Sequence, residues 1–118
     1  MAAGSAHELV DIVDDDDRVL TTVTRAEMRA GRLQHRCVSI AVVGSDGRLL
    51  VHRRADDKDV WPGMWDIAAG GVVAAGEGYD DAAVRELAEE LGVHADRLEP
   101  LGEGRFRDEA VALIGRGY

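Results

Sequence analysis

Residues 70–93 read Gly-Gly-Val-Val-Ala-Ala-Gly-Glu-Gly-Tyr-Asp-Asp-Ala-Ala-Val-Arg-Glu-Leu-Ala-Glu-Glu-Leu-Gly-Val, a glycine pair, a loop and then an acidic amphipathic segment. Asp80 and Asp81 suit the positive end of a helix, and Gly92 is typical of the position where a helix ends. The pattern therefore predicts a helix over residues 80–91. Its apolar positions recur with helical spacing and form the expected buried stripe: Val84, Leu87, Ala88 and Leu91.

Three carboxylates of this helix lie on one face, because Glu86, Glu89 and Glu90 have the spacing i, i+3, i+4. Like charges at this spacing destabilise a helix by a few tenths of a kcal/mol per pair, so the cluster calls for a cation. Mg²⁺ or Mn²⁺, which prefers carboxylate and water oxygens, suits it. Arg85 is placed to pair with a carboxylate and orient it. The alternative is an ordinary solvated acidic face opposite the apolar stripe.

The glycines before the helix predict a bend in the backbone. Gly70 and Gly71 allow a tight turn, which would leave the carbonyl of Gly70 free as a metal ligand. The following loop would then bring Glu77 back toward the helix. We therefore expect the acidic face to be held against a turn.

The complete pattern is Gly71, five residues, Glu77, seven residues and then Arg-Glu-Leu-Ala-Glu-Glu-Leu-Gly-Val from residue 85 to 93. It resembles the Nudix box of the Nudix hydrolase superfamily. The resemblance implies an α/β/α sandwich built on a mixed sheet, and Mg²⁺-dependent attack of water on a diphosphate joined to another moiety. The residues that it implies as metal ligands are Glu86, Glu89, Glu90 and, through its carbonyl, Gly70. It implies orienting roles for Arg85 and Glu77.

A second resemblance lies upstream of the box. Residues 35–39 (His-Arg-Cys-Val-Ser), residues 46–54 (Asp-Gly-Arg-Leu-Leu-Val-His-Arg-Arg), Lys58 and residues 62–65 (Pro-Gly-Met-Trp) are similar to the isopentenyl-diphosphate isomerase branch of that superfamily. The resemblance implies diphosphate contacts from basic residues near this segment, here Arg53, Arg54 and Lys58. Their alternative is a solvated hairpin edge. Trp61 and Trp65 have two interpretations, stacking on the substrate or plugging an edge of the core.

The isomerase reaction lacks its expected chemical groups. Isomerases of this branch carry a catalytic cysteine and a metal-binding histidine after the tryptophan, whereas residues 61–93 contain neither. Allylic isomerisation needs a proton donor and an acceptor beside the double bond. Hydrolysis is therefore the favoured interpretation, with an isomerase-like enzyme and a non-catalytic or truncated binding module as alternatives.

Short runs rich in Val, Leu and Thr divide the rest of the chain into further elements. Residues 45–47 (Ser-Asp-Gly) predict a hairpin turn, and the four aspartates at 14–17 lack the glycine and distal glutamate of an EF-hand, so we interpret them as a solvated turn. We predict a helix over residues 25–31 and strands over residues 8–14, 18–24, 36–44, 48–54, 66–69, 97–108 and 110–118. Strands that flank one long helix without regular alternation favour an α/β fold with a mixed sheet.

Length and composition limit the class of protein. The 118 residues suffice for one domain, expected over residues 7–118 after a frayed, disordered segment at residues 1–6. The last predicted strand reaches Tyr118 with no helix after it, so the domain is either incomplete at its C-terminus or covered by a second copy in a homodimer.

The net charge of −9 disfavours binding to nucleic acid, and the lone Cys37 forms neither an internal disulfide nor a cysteine metal cluster. We find no membrane-spanning run or secretory signal and expect a soluble, cytoplasmic protein whose partner is a small-molecule diphosphate. Cys37 itself is interpreted as a small buried hydrophobe.

Overall fold

The computed structural model describes residues 6–118. Of the segment predicted to be frayed, residues 1–5 lie outside the described residues. The described chain forms helices α1 and α2 and strands β1 to β8. Their bounds are β1 Leu9–Val13, β2 Val19–Thr24, α1 Arg25–Gly31, β3 Gln34–Ile40, β4 His52–Arg53, β5 Trp65–Asp66, β6 Ala69–Val72, α2 Tyr79–Leu91, β7 Gly102–Arg107 and β8 Ala112–Gly117.

Strand β3 is the centre of the main sheet. It pairs in parallel with β8 along one side, and on the other side it pairs antiparallel with β1 and then with β6. The strand order is β2-β1-β3-β8-β7, with β6 attached to β3, while β4 and β5 form a separate two-stranded ribbon. The predicted mixed sheet is therefore confirmed.

Each face of this sheet has its own apolar cluster. Val38 and Ile40 pack with α2, whereas Cys37, the residue before Val38, packs with Met28 of α1 and with Val72. Because successive side chains of a strand point to opposite faces, the two helices lie on opposite sides of the sheet. The layered α/β architecture expected from the sequence is present.

Helix α2 begins and ends close to the predicted residues. Gly78 is its N-cap, and Gly92 ends it in the left-handed conformation with φ of 68°. The buried face is rotated from the predicted stripe, because Ala82, Ala83 and Leu87 are buried whereas Val84 and Ala88 are only half-buried. This rotation brings part of the acidic face toward the sheet.

The predicted hairpin after β3 is only partly formed. Gly47 makes the expected turn with φ of 80°, but β3 ends at Ile40 and the returning strand shrinks to β4, which pairs with β5. Leu50 and Val51 are about half exposed. These side chains therefore lack the burial that would stabilise a longer strand.

The aspartate-rich turn is held by the chain's own groups, as the solvated-turn interpretation expects. The Asp14 carboxylate accepts hydrogen bonds from the backbone of Asp16 and Arg18. Asp17 accepts from Arg36 and from the hydroxyl of Tyr79. Neither helix of the described chain is long and apolar enough to span a membrane.

The prediction that the glycine pair forms a tight turn is wrong. Gly70 and Gly71 lie inside β6, where they pair with Ser39 and Val38 of β3. Their role is close approach, since a Cβ on Gly70 would lie 2.0 Å from the carbonyl oxygen of Val38. Glycine is required here because of its size and not because of its backbone freedom.

We predict that Gly70→Ala lowers the free energy of unfolding by about 3 kcal/mol, because the added methyl group meets backbone that cannot move aside. The matched control is Gly104→Ala in β7, where an added Cβ meets nothing within 4 Å. Urea unfolding should show the control unchanged or slightly stabilised. Equal stabilities of the two variants would contradict the steric explanation.

Candidate functional site

Arg85 connects the acidic helix face to the loop that precedes α2. Its guanidinium donates to both carboxylate oxygens of Glu77 at 2.8 Å and to the carbonyl of Val72 at 3.2 Å. On its own helix it donates to Glu86 at 2.8 Å and to Glu89 at 3.3 Å. The predicted orienting role of Arg85 and Glu77 is consistent with this geometry, which holds three carboxylates around one cation.

Glu77 is fixed as an ionised partner. The hydrogen bonds from Arg85 hold the pKa of its carboxyl below the ordinary value, against the opposing effect of burial, and the backbone N–H of Ala74 adds a further hydrogen bond at 3.1 Å. Glu77 therefore holds the loop between β6 and α2 in place through the backbone of the loop and through Arg85 of the helix.

Glu86 lies between the helix and the sheet. Only 7% of the residue is exposed, and a Cβ on Gly71 would lie 2.6 Å from its carboxylate. Burial raises the pKa of Glu86; Arg85 opposes this effect, and the charges of Glu89 and Glu90 add to it. The interpretation of the whole acidic face as solvated is thus wrong for Glu86, because the helix is rotated toward the sheet.

Glu90 is paired with Lys58, which the sequence shows to be the one lysine of the chain. Their Nζ and Oε1 atoms are 2.5 Å apart, and the two side chains are only 10% and 16% exposed. Lys58 was predicted to contact the diphosphate. The structure instead brings it to a carboxylate that was predicted to bind metal.

The donor chemistry of this site suits a hard divalent cation. Glu86, Glu89 and Glu90 supply carboxylate oxygens from one helix face, and the space over Gly71 that a Cβ would fill holds the carboxylate of Glu86. Within residues 6–118, however, no three acidic, histidine or cysteine side chains converge as a ready metal cage. The carboxylates are turned toward Arg85 and Lys58 instead, so a cation would have to compete with these groups. The carbonyl of Gly70 belongs to a strand and not to the predicted turn.

A cavity of about 150 Å³ lies beside β6. Gly70, Gly71, Arg54 and Lys58 are among the residues that line it. Its other walls come from α1, from the loop after β4 and from β3 and β8. None of the three predicted glutamate ligands is among its lining residues; two of the lining residues contact them, since Lys58 pairs with Glu90 and Gly71 lies against Glu86.

Two arginines of α1 meet one carboxylate at the edge of this cavity. Arg25 and Arg29, one helical turn apart, each donate from Nε to Asp59 at 3.0 Å. Burial alone would raise the pKa of Asp59, but the two guanidinium groups outweigh it and lower the pKa to about 2. This contact fastens α1 to the loop over the cavity.

The remaining predicted substrate contacts lie in different places. Arg54 lines the cavity and donates to the carbonyl of Val60 at 3.1 Å. Arg53 points away from it, donating to the carbonyl of Gly63 and to Asp56. Trp65 is 72% exposed and outside the cavity lining.

Trp61, in contrast, lines the cavity and makes an edge-to-face contact with Phe106, their ring centroids 6.0 Å apart. Of the two tryptophans, Trp61 is therefore the one placed where it could contact a substrate in the cavity.

Sequence reasoning assigned no role to Arg25, Arg29 or His35, all of which line the cavity. A signal existed for the arginines, which have i, i+4 spacing on α1, and for His35, a polar residue at the start of an apolar strand. Cys37 lines the same cavity, and burial raises the pKa of its thiol to about 12. A thiol held in its neutral form agrees with the interpretation of Cys37 as a small apolar residue.

Comparisons with known proteins agree with the sequence pattern. The NUDIX domain matches residues 33–114. An uncharacterized Nudix hydrolase of Streptomyces coelicolor is 51% identical over 88 residues, which cover 75% of this chain and 49% of that protein. The uncharacterized Nudix hydrolase YfcD of Escherichia coli is 42% identical over 108 residues, covering 92% of this chain and 60% of that protein.

Among solved structures, a crystal structure of a Deinococcus radiodurans protein superposes with a TM-score of 0.72 and 29% sequence identity. The match covers 94% of this chain and 72% of that one. The chain spans about half to three fifths of the length of the two curated relatives.

We predict that Asp59→Asn lowers the free energy of unfolding at pH 7 by about 1 kcal/mol, a value reduced for the partial exposure of the ion pairs. Because the pKa of Asp59 is depressed in the folded state, its contribution is full above the ordinary pKa of 3.8 and is lost as the pH falls toward about 2. The difference from wild type should therefore shrink over that range in urea unfolding.

The control for this experiment is Asp56→Asn in the same loop, whose carboxylate is 81% exposed and pairs with a half-exposed Arg53. It should change stability by a few tenths of a kcal/mol at most. An Asp59→Asn difference that does not vary with pH would contradict the ion-pair explanation.

Proposed function

This chain belongs to the NUDIX domain family, and on that premise we propose that it hydrolyses a phosphoanhydride bond in a small-molecule diphosphate, with Mg²⁺ or Mn²⁺ as its cofactor. In this proposal the diphosphate is joined to a second moiety, and the cavity lined by Gly71 and Lys58 would receive that moiety. The observation that carries it is the carboxylate of Glu86, buried over Gly71 and bound by Arg85.

The chain's own residues would organise this reaction before substrate arrives. Arg85 keeps the carboxylates of Glu77 and Glu86 in fixed positions, and its hydrogen bond to the Val72 carbonyl anchors the helix face to β6. Polar groups that are held in place in this way before the reaction are a main source of electrostatic catalysis.

Glu86, Glu89 and Glu90 are the residues that we expect to hold the cation. When bound, a divalent cation supplies positive charge to phosphate oxygens and lowers the pKa of a water molecule. This chemistry also explains how a protein of net charge −9 would accept an anionic substrate.

Arg54 and Lys58 are the basic residues that we expect to contact the phosphates. Both line the cavity. Lys58 would leave Glu90 to do so, whereas the guanidinium of Arg54 already points toward the loop carbonyl of Val60 and the carboxylate of Asp66. A lysine on a flexible stem suits such an exchange.

We predict that Glu89→Gln lowers the turnover number for hydrolysis by roughly 100-fold, because it removes a proposed oxygen ligand. Glu89 is exposed, so the unfolding midpoint should hardly change. The assay measures phosphate release with Mg²⁺ from nucleoside triphosphates, dinucleoside polyphosphates, ADP-ribose, NADH, coenzyme A and isoprenoid diphosphates.

Glu99→Gln is the matched control, since it makes the same chemical change at an exposed residue outside α2, and it should hydrolyse as fast as the parent. If Glu89→Gln is also as fast, the assignment of that residue is wrong. If an isoprenoid diphosphate gives a shifted double bond by NMR and no released phosphate, the isomerase-like alternative replaces the proposal. Binding of these compounds without any turnover would favour the non-catalytic module.

A further inference from the structure

His35 in β3 has one ring nitrogen engaged and one without a partner. The residue is 1% exposed, and its Nδ1 lies 2.9 Å from the carbonyl oxygen of Leu33. A carbonyl oxygen can only accept, so Nδ1 carries the proton and Nε2 presents a lone pair. Among the side chains of residues 6–118, Nε2 of His35 is the buried polar atom that lacks a hydrogen-bond partner.

This lone pair is not removed by protonation at neutral pH. Burial lowers the pKa of His35 to about 4, an effect that the nearby backbone groups of Leu33 and Ala112 oppose and that the charges of Arg29 and Arg25 reinforce. A buried acceptor without a donor costs about 1–3 kcal/mol. An unpaired buried polar atom of this kind calls for a physical explanation, and a bound group that donates a hydrogen bond to it is one.

His35 lines the cavity described above, as Arg54 and Lys58 also do. Most residues that line the cavity are apolar, among them Cys37, Val60, Trp61 and Leu113, and the lining also includes the two arginines of α1. A cavity of about 150 Å³ is the size that accommodates a benzene ring in other proteins. It therefore suits a compact group of about five to seven non-hydrogen atoms.

We propose that this cavity binds the non-phosphate moiety of the substrate and that Nε2 of His35 accepts a hydrogen bond from a hydroxyl or amino group on it. The inference rests on the proposed function for the diphosphate half of the ligand, which Arg54 and Lys58 would contact. A pure hydrocarbon would fill the same space but leave Nε2 unpaired. Sites built to pair with a polar group reject the analogue that lacks it.

The test uses two methylene-bridged diphosphonates that cannot be hydrolysed at the bridge, one carrying a 3-methylbut-2-enyl group and the other its 4-hydroxy derivative. They differ in a single hydroxyl group. Calorimetry in the presence of Mg²⁺ should show the hydroxylated compound binding about tenfold more tightly to the wild-type chain. Equal affinities, or no binding of either compound, overturn the inference.

His35→Phe keeps a flat ring of similar size but removes the acceptor, so the two affinities should become equal to within about twofold. His35→Gln returns an acceptor to the same region and should restore part of the preference. His94→Phe, at an exposed histidine beyond α2, should leave the preference unchanged. A preference that survives in His35→Phe overturns the inference, since a group other than His35 would then recognise the hydroxyl.

If His35→Phe fails to fold, ¹⁵N NMR of the histidine rings in the wild-type chain decides the question. The Nε2 resonance of His35 should move on adding the hydroxylated compound and stay in place with the hydrocarbon, and the reverse or no difference overturns the inference. Because neither probe is hydrolysed, this result is independent of turnover. Hydrolysis without a His35 effect rejects the inference alone, and a His35 effect without hydrolysis of any substrate rejects the proposed function alone.

Discussion

The side chain of Arg85 is the contact on which the arrangement of the site depends. One guanidinium joins the preceding loop through Glu77, the edge of the sheet through the carbonyl of Val72, and the helix face through Glu86 and Glu89. Each of these groups is an acceptor that would be costly to bury alone. A single planar cation therefore satisfies several acceptors at once and fixes the relative position of helix, loop and sheet.

That contact works only because the backbone of β6 comes unusually close to its neighbours. Gly70 allows the strand to approach the carbonyl of Val38, and Gly71 leaves room for the carboxylate of Glu86. The two glycines therefore serve different surfaces, one facing the adjacent strand and the other facing the helix. Packing density, together with charge, decides where the acidic face of α2 lies.

The sequence correctly predicted those features that depend only on residues close together in the chain. The end of α2 at Gly92 and the turn at Gly47 are set by backbone conformation within a few residues, and both are present. The glycine pair was misread because a sequence reveals backbone freedom more readily than the closeness of a distant strand. The rotation of α2 and the grouping of His35 with Arg25 arise from packing between elements far apart in the chain, which no local pattern encodes.

The pairing of Lys58 with Glu90 links the two kinds of ligand that the site is proposed to take. A phosphate that draws the ammonium group away would remove a positive charge from beside Glu90, and a metal ion that takes Glu90 would remove a negative charge from beside Lys58. Binding of either ligand would therefore favour binding of the other. Such coupling is reciprocal by thermodynamic necessity. A bound anion would raise the affinity for the metal ion by the same factor by which a bound metal ion would raise the affinity for the anion.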